Sequence, residues 1–335
     1  MEILIPEYFD RFRCIAAACP DSCCKEWEVD VDAESARMYR QLPGALGARL
    51  QEVLREYDGG TCMTIQDGRC PMWRQDGLCR IQAELGHEAL CRICREYPRL
   101  YQDYGDFAEY RLEMSCPEAA QLIFTCRGAR IVQEAGGEAE YEPEAMALLR
   151  SSRKKLLAFW QEAGFGFAET LAATLLYAHT VQEALDGWGT PEVSPEACVR
   201  EAQRLDVTGE LEPLSNFYRQ LEILTEDWRQ KLEGLSPAPV FREALRPLGE
   251  YLIGRYWLQA VWDLDLVSRA KFLVSACILV STMGGEPVRT AQLFSKEIEN
   301  DADNLDKLLD AAYTCPAFTD ANLLGLLIGA AGDGC

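Results

Sequence analysis

Eleven of the fifteen cysteines in this 335-residue chain fall between Cys14 and Cys126, within about a third of its length. The first four form a C-x4-C-x3-C-C burst, and a C-x-x-C pair follows at Cys91 and Cys94. Thiols at this density indicate disulfides, a metal or iron–sulfur site, or chance packing of small apolar side chains. Which of these three explanations holds decides how the first third of the chain can fold.

The beginning of the chain bears on that choice. Glu2 and Glu7 stand where a secretory signal peptide would carry lysine or arginine, and no stretch approaches the ~20 uninterrupted apolar residues of a membrane-spanning helix. We therefore expect a soluble, cytoplasmic protein. Stable disulfides are rare in that reducing compartment, and an odd number of cysteines cannot all be paired. The sequence favours a metal or iron–sulfur site over a disulfide framework or unliganded core thiols.

Acidic residues dominate the charge of the chain. The 54 Asp and Glu residues oppose 33 Lys and Arg residues, for a formal net charge of −21. Nucleic-acid binding depends on Lys and Arg that neutralise phosphates, so we expect neither nucleic acid nor a membrane as a partner. The surplus of acid would attract a basic partner, although keeping the protein in solution is the simpler explanation.

The sequence predicts a mainly α-helical protein in two parts. A cysteine-rich, loop-heavy region that binds a metal or an iron–sulfur cluster covers 1–127, a linker covers 128–143, and an α-helical domain covers 144–335. Apolar residues such as Leu214 and Leu221 recur at helical spacing in the second part. Glycine- and proline-containing turns separate eight predicted helices. They cover 144–163, 167–187, 195–206, 212–233, 239–262, 265–283, 287–299 and 303–313.

Local signals in the first part are weaker. Residues 1–30 are predicted to be largely loop, with a short strand at 27–32. Asp32 is a candidate N-cap for a helix that continues through Tyr39, and a second helix is predicted over 47–57.

Two Asp-Gly turns each precede a cysteine, at Gly68 before Cys70 and at Gly77 before Cys79. Tight turns leave backbone N–H groups free to point at sulfur, as they do in metal knuckles and clusters. This local pattern favours a metal site.

Thiolates bind soft or borderline metals, and four of them suit a tetrahedral zinc ion or one iron–sulfur cluster. Cys91 and Cys94 have the two-residue gap of a zinc knuckle, whereas Cys19 and Cys23 have three residues between them. Adjacent residues usually point in different directions, so we do not expect Cys23 and Cys24 both to bind one ion. The C-x3-C-x2-C pattern of radical S-adenosylmethionine enzymes is absent, because Cys24 directly follows Cys23.

Short motifs follow one another through the cysteine-rich part. They are Phe12-Arg13-Cys14-Ile15, Cys19, Asp21, Cys23-Cys24, Trp27, Gly68-Arg69-Cys70-Pro71, Asp76-Gly77-Leu78-Cys79, Leu85-Gly86, Cys94-x-x-Tyr97-Pro98-Arg99 and Ser115-Cys116-Pro117-Glu118-Ala119-Ala120. In this order they resemble the flagellin lysine-N-methylase family, which carries a YkgJ-type cysteine-cluster region. The resemblance covers roughly residues 5–123.

That resemblance implies an iron–sulfur protein that transfers methyl from S-adenosylmethionine to lysine ε-amines of flagellin. The cluster is expected to be of the 4Fe-4S type, with zinc as the alternative. The matched cysteines become the expected metal ligands: Cys14, Cys19, Cys23, Cys24, Cys70, Cys79, Cys94 and Cys116. They exceed the four ligands of one cluster, so two centres or additional structural cysteines are both open. Cys62, Cys91 and Cys126 lie between the motifs and are left out.

The sequence assigns neither catalytic residues nor an S-adenosylmethionine pocket. No G-x-G-x-x-G follows a predicted strand. Tyr97, Arg99 and Glu118 adjoin the expected ligands, but each is better explained as a turn or helix-start residue. His87 and His179 fit surface or core positions better than metal binding.

Two non-enzymatic alternatives stay open beside the methyltransferase. One is a metal or redox-sensing protein whose cluster controls the binding of a partner. The other is a structural zinc protein, in which the cysteines only hold the N-terminal fold together.

Overall fold

A computed structural model describes residues 1–57, 59–162, 164–187 and 193–332. Short elements make up the first part of the chain: β1 (Glu2–Pro6), α1 (Glu7–Arg11), β2 (Val29–Val31), α2 (Ala33–Gln41), α3 (Gly44–Val53), β3 (Leu54–Tyr57), β4 (Gly60–Met63), α4 (Arg80–Leu85), α5 (Arg92–Glu96), β5 (Arg99–Asp103), β6 (Phe107–Leu112), α6 (Pro117–Thr125) and β7 (Ala129–Gln133). Helices make up the second part: α7 (Pro143–Gln161), α8 (Phe167–Leu185), α9 (Pro195–Ala202), α10 (Leu211–Arg219), α11 (Glu226–Glu233), α12 (Arg246–Tyr256), α13 (Leu266–Thr282), α14 (Pro287–Phe294), α15 (Ala302–Thr314) and α16 (Asp320–Gly332). A mainly α-helical fold is confirmed.

Two small sheets lie in the first part. In the four-stranded sheet the order is β5-β6-β1-β7, with β1 parallel to β6 and antiparallel to β7. The three-stranded sheet has the order β2-β4-β3 and is antiparallel throughout. The parallel pair joins the start of the chain to residues more than a hundred positions later, so the cysteine-rich segment between them is closed into one loop-rich unit.

The molecule has two main hydrophobic cores. The smaller core surrounds Tyr39 and Leu50 and includes Cys70 and Cys91. The larger core is built from the helices of the second part, and it extends into the first part as far as Cys116. Cysteines of the first part therefore pack against both cores.

Several local predictions differ from the structure in the first part. Residues 1–30 are not largely loop, because β1 and α1 form there. The second helix runs over Gly44–Val53 rather than 47–57, since Leu54–Tyr57 pairs with β4 as strand β3. Residues 129–133, assigned from sequence to a linker, form β7 against β1. Asp32 is confirmed as the N-cap of α2, because its carboxylate accepts from the Ser35 backbone N–H at 3.0 Å.

In the second part the chain breaks helices more often than the periodicity predicts. The helix predicted at 212–233 is two helices, α10 and α11, and Thr225 caps the second by accepting from the Trp228 N–H. The sequence does not predict helix α16, because its glycines lower helix propensity. Gly325 allows α16 to pack closely against the backbone of Thr208 and Gly209, because a Cβ at this position would lie 2.2 Å from both.

None of the helices in the described part of the chain is long and apolar enough to span a membrane.

Candidate functional site

A cavity of about 270 Å³ lies between the first and second parts of the chain. Seven of the eight cysteines expected as ligands line it: Cys14, Cys19, Cys23, Cys24, Cys79, Cys94 and Cys116. The eighth, Cys70, is buried in the smaller core beside them. Residues spread over about a hundred positions of sequence thus share one cavity, which we call the thiol cavity.

Backbone hydrogen bonds between loops bring these cysteines together. The Cys70 N–H donates to the Cys24 carbonyl at 2.8 Å, and the Arg80 N–H donates to the Met72 carbonyl at 2.7 Å. The turn before Cys70 allows this pairing because Gly68 adopts a φ of +70°, which glycine tolerates. The loops that carry Cys24, Cys70 and Cys79 are therefore held side by side.

Three of the cysteines occupy helix N-termini. Cys79 precedes α4, Cys91 precedes α5 and Cys116 precedes α6. The unpaired N–H groups and the dipole of a helix start favour negative charge, and a thiolate gains from this position. Sequence patterns could have indicated this for Cys116, since Pro117 at the next position is typical of a helix start.

Burial favours the neutral form of Cys70 and Cys116 in the absence of a cation. It raises the pKa of Cys70 to about 11 and that of Cys116 to about 12. Backbone N–H groups act against that rise, from Met72 at Cys70 and from Ala119 and Glu118 at Cys116. A bound metal would have to displace these protons, so its binding would release protons and weaken on acidification.

Cys23 and Cys24 form a hydrogen-bonded pair within the group. A hydrogen bond from the Cys24 thiol lowers the pKa of Cys23, and the same bond raises the pKa of Cys24. Beyond the larger effects of burial and hydrogen bonding, the charge of Cys23 acts to raise the pKa of six other thiols. Contrary to the expectation for adjacent residues, Cys23 and Cys24 both face the thiol cavity.

Polar and aromatic side chains complete the wall of the thiol cavity. Trp27 and Tyr97 line it with their ring centroids 6.4 Å apart, and the Tyr97 hydroxyl lies 3.1 Å from that of Ser115. Burial raises the pKa of Tyr97 well above its usual range, so this phenol is neutral and suits hydrogen bonding rather than proton abstraction. Arg99 also lines the cavity, with its guanidinium 5.2 Å from the Phe12 ring.

The histidines and Glu118 take different positions. His87 lines the thiol cavity, whereas His179 pairs with Asp320 at 3.1 Å in the second part. Glu118 lies in the first turn of α6, as expected for a carboxylate at a helix start.

Of the cysteines left out of the sequence assignment, Cys91 belongs with the group. It is 1% exposed and pairs with Cys94, whose thiol hydrogen bond lowers the pKa of Cys91. Cys62 lies apart on β4, 3.7 Å from a Glu28 oxygen, and Cys126 ends α6 in the larger core. The C-x-x-C spacing was the signal that could have added Cys91.

The thiol cavity fits a thiolate-bound group by its donor chemistry. Seven soft donors face a space far larger than the roughly 30 Å³ share of one water molecule, so it has room for a group of several atoms. In the described ranges, no three His, Cys, Asp or Glu side chains are arranged to hold a single metal ion. All fourteen cysteines there are free thiols.

Fold and site together define a mainly α-helical protein whose cysteine-rich first part encloses a thiol-lined cavity against a helical second part. Curated proteins similar to this chain include two named lysine-N-methylase and one named as a flagellar biosynthetic protein. This chain is 28% identical over 136 residues to the lysine-N-methylase of Salmonella typhimurium. The aligned stretch covers 38% of this chain and 34% of that protein. The chain is 27% identical over 150 residues to the flagellar biosynthetic protein FliU of Salmonella muenchen, covering 43% of this chain and 79% of that protein.

These similarities confirm the resemblance to the flagellin lysine-N-methylase family that the motifs indicated. The lysine-N-methylase of Salmonella choleraesuis matches over the same length, at 28% identity. The chain spans about a third of the length of these two curated lysine-N-methylases. No family model matches the chain, and no solved structure matches it.

Proposed function

We propose that this protein is an S-adenosylmethionine-dependent protein-lysine N-methyltransferase that acts on flagellin and holds an iron–sulfur cluster in the thiol cavity. One observation carries the proposal: seven of the eight cysteines that match the family motifs line one cavity together with Trp27, Tyr97 and Lys296. The similarity to proteins named lysine-N-methylase and to a flagellar biosynthetic protein supports the reaction and the substrate.

The reaction sets requirements for the chain. A neutral lysine ε-amine would attack the methyl carbon of the sulfonium, the sulfur–carbon bond would break, and the product ammonium would lose its extra proton. Lysine is protonated at neutral pH, with a reference pKa of about 10.4, so the site must desolvate the amine or accept its proton. The Trp27 and Tyr97 rings offer an apolar wall that would exclude water from a lysine side chain.

The thiol cavity supports a cluster more readily than a single ion. Its volume of about 270 Å³ and its seven thiols suit a group of several atoms, and an iron–sulfur cluster takes four thiolates. Cys14, which accepts from the Ala16 N–H at 3.4 Å, shows the kind of backbone contact that tunes such clusters. When bound, the cluster would place a charged group, held by thiolates, in the wall of the cavity. The other residues that line the cavity would orient this group.

The test is methyl transfer from labelled S-adenosylmethionine to purified flagellin by the reconstituted, anaerobically handled protein. We expect label on lysine, and we expect Cys23→Ser to lower its rate about tenfold or more because Cys23 lines the thiol cavity as one of the expected ligands. Cys62→Ser, which removes a thiol outside the cavity, is the matched control and should keep the wild-type rate. An intact cluster without any labelled lysine, beside an active control methyltransferase, would sink the proposal.

A structural zinc site is the second candidate, and the packing of Cys70 and Cys91 in the smaller core favours it. Thiols that are part of a core can stabilise the fold through a metal without any role in catalysis. A colourless protein with one equivalent of zinc, and no labelled flagellin, would decide for this alternative.

A further inference from the structure

A buried lysine of the second part reaches into the cysteine-bearing loop of the first part. Lys296 is 2% exposed and lies in a π-helical turn, Ser295–Glu299, that follows α14. Its ammonium lies 3.1 Å from Asp21 Oδ2 and 2.5 Å from Glu26 Oε2. It also lies 5.3 Å from the centroid of the Trp27 ring.

The partners of Lys296 bracket two of the thiols. Asp21 and Glu26 stand on either side of Cys23 and Cys24, within one stretch of six residues. A buried ammonium is stable only with close counter-charges, and removing one partner of such a pair is strongly destabilising locally. The position of this loop is therefore tied to the position of Lys296.

The segment around Lys296 contacts the other side of the thiol cavity as well. Gln292 donates to the Ser115 carbonyl at 2.6 Å, directly before Cys116. Arg289 adds a second, longer contact to Asp21 at 3.5 Å. Residues 289–296 thus touch both the loop of Cys23 and the helix start of Cys116. π-Helical turns are frequent at functional sites, and this one holds Lys296 in the wall of the cavity.

We propose that Lys296 is a positioning residue for the thiol cavity: its ammonium, fixed by Asp21 and Glu26, holds Cys23 and Cys24 where they can bind the group that the cavity accepts. This inference rests on the proposed function only in naming that group as an iron–sulfur cluster. The position of the thiols themselves can be tested without it.

The experiment compares Lys296→Met with Lys271→Met. Lys271 is also a buried lysine, 7% exposed and paired with Asp320 at 3.3 Å, but it lies in α13 away from the thiol cavity. The metal-free proteins are alkylated with iodoacetamide, and the rate at each cysteine is followed by mass spectrometry. Cys24 is the reporter, while the buried Cys198 and Cys277 report on general unfolding.

We expect Lys296→Met to raise the alkylation rate of Cys24 about tenfold or more relative to wild type, with Cys198 and Cys277 unchanged. In protein loaded with iron and sulfide, the same variant should release iron to a chelator faster by a similar factor. Lys271→Met should change neither rate, and Lys296→Arg, which keeps the charge, should return the Cys24 rate towards wild type. An unchanged Cys24 rate in folded Lys296→Met would overturn the inference.

If Lys296→Met also raises the alkylation rates of Cys198 and Cys277, the variant has unfolded more generally, and Glu26→Gln then tests the inference. The Glu26 side chain is 27% exposed, so its replacement leaves no buried cavity. Faster alkylation of Cys24 alone in Glu26→Gln supports the inference, and an unchanged rate overturns it. A wild-type protein that binds no iron would refute the proposed cluster, while the alkylation rates would still decide the role of Lys296.

Discussion

At the scale of single residues, Glu109 forms a buried ionic link between the two parts of the chain. It lies on β6 with 4% exposure, and its carboxylate accepts from Arg111 at 2.7 Å and from Arg153 of α7 at 2.8 Å. Arg153 also donates to the Gly254 carbonyl at 3.1 Å. A buried carboxylate needs such partners to offset the loss of its hydration.

The charge state of Glu109 makes stability depend on pH. Burial acts to raise the pKa of Glu109, but Arg111 and Arg153 outweigh it and hold that pKa at about 2. Because the pKa is lower in the folded protein than in the unfolded chain, this stabilisation is complete above about pH 4.5 and is lost as the pH falls towards 2. The loss amounts to about 3 kcal/mol in the free energy of unfolding.

Urea unfolding between pH 7 and pH 3 measures this effect. Wild type should lose stability more steeply than Glu109→Gln, which has no carboxylate at that position. Glu140→Gln, at an exposed position, serves as the control and should follow wild type. Parallel curves for wild type and Glu109→Gln would contradict the role given to Glu109.

Single residues also show what sequence can and cannot reveal about the site. The motif cysteines could be found because their spacing is local and unusual. Lys296 could not, because its partner Asp21 is 275 residues away and nothing in the local sequence marks the contact. Cys91 has a C-x-x-C spacing with Cys94, but it lies outside the family motifs and therefore outside the predicted ligand set.

At the scale of elements, one carboxylate caps two helices. Asp32 accepts from the Ser35 N–H at 3.0 Å at the start of α2, and its other oxygen accepts from the Arg92 N–H at 2.8 Å at the start of α5. The second contact joins α2 to the helix that carries Cys94. Capping by Asp32 therefore both starts α2 and fixes α5.

Asp32→Ala should lower the free energy of unfolding by about 1–2 kcal/mol, because it removes the acceptor from both helix starts. Thermal and urea unfolding measure the change. Glu34→Ala, at an exposed position in the first turn of α2, should cost no more than about 0.5 kcal/mol. If Asp32→Ala and Glu34→Ala lowered the free energy of unfolding equally, Asp32 would act only as a surface charge.

Elements with strong local signals were predictable, and those fixed by distant partners were not. The start of α2 follows from Asp32 alone. Strand β7 forms by pairing with β1, which lies about 125 residues earlier. The local sequence of β7 therefore predicts an exposed linker and not a strand. Helix α16 is stabilised by burial of Leu323 and Leu327 in the larger core, which outweighs its glycines.

At the scale of the whole molecule, the thiol cavity depends on both parts of the chain. The first part supplies the thiols, and the second supplies Lys296 and Gln292, which contact the loops that carry them. A pattern of cysteines predicts a metal site but not the helical surface that closes it. The division of the chain at 127 and 143 stays a prediction, as do the ligand set and the cytoplasmic location.

The most direct test of the central claim is the iron, sulfide and zinc content of anaerobically purified protein, with its visible absorption spectrum. We predict a brown protein with iron and sulfide. We also predict that Cys23→Ser and Cys94→Ser, which each remove a thiol that lines the cavity, lower both contents by about half or more, and that Cys62→Ser leaves them unchanged. A colourless protein, or one whose iron depends on Cys62 and not on Cys23, would contradict the claim that the thiol cavity holds an iron–sulfur cluster.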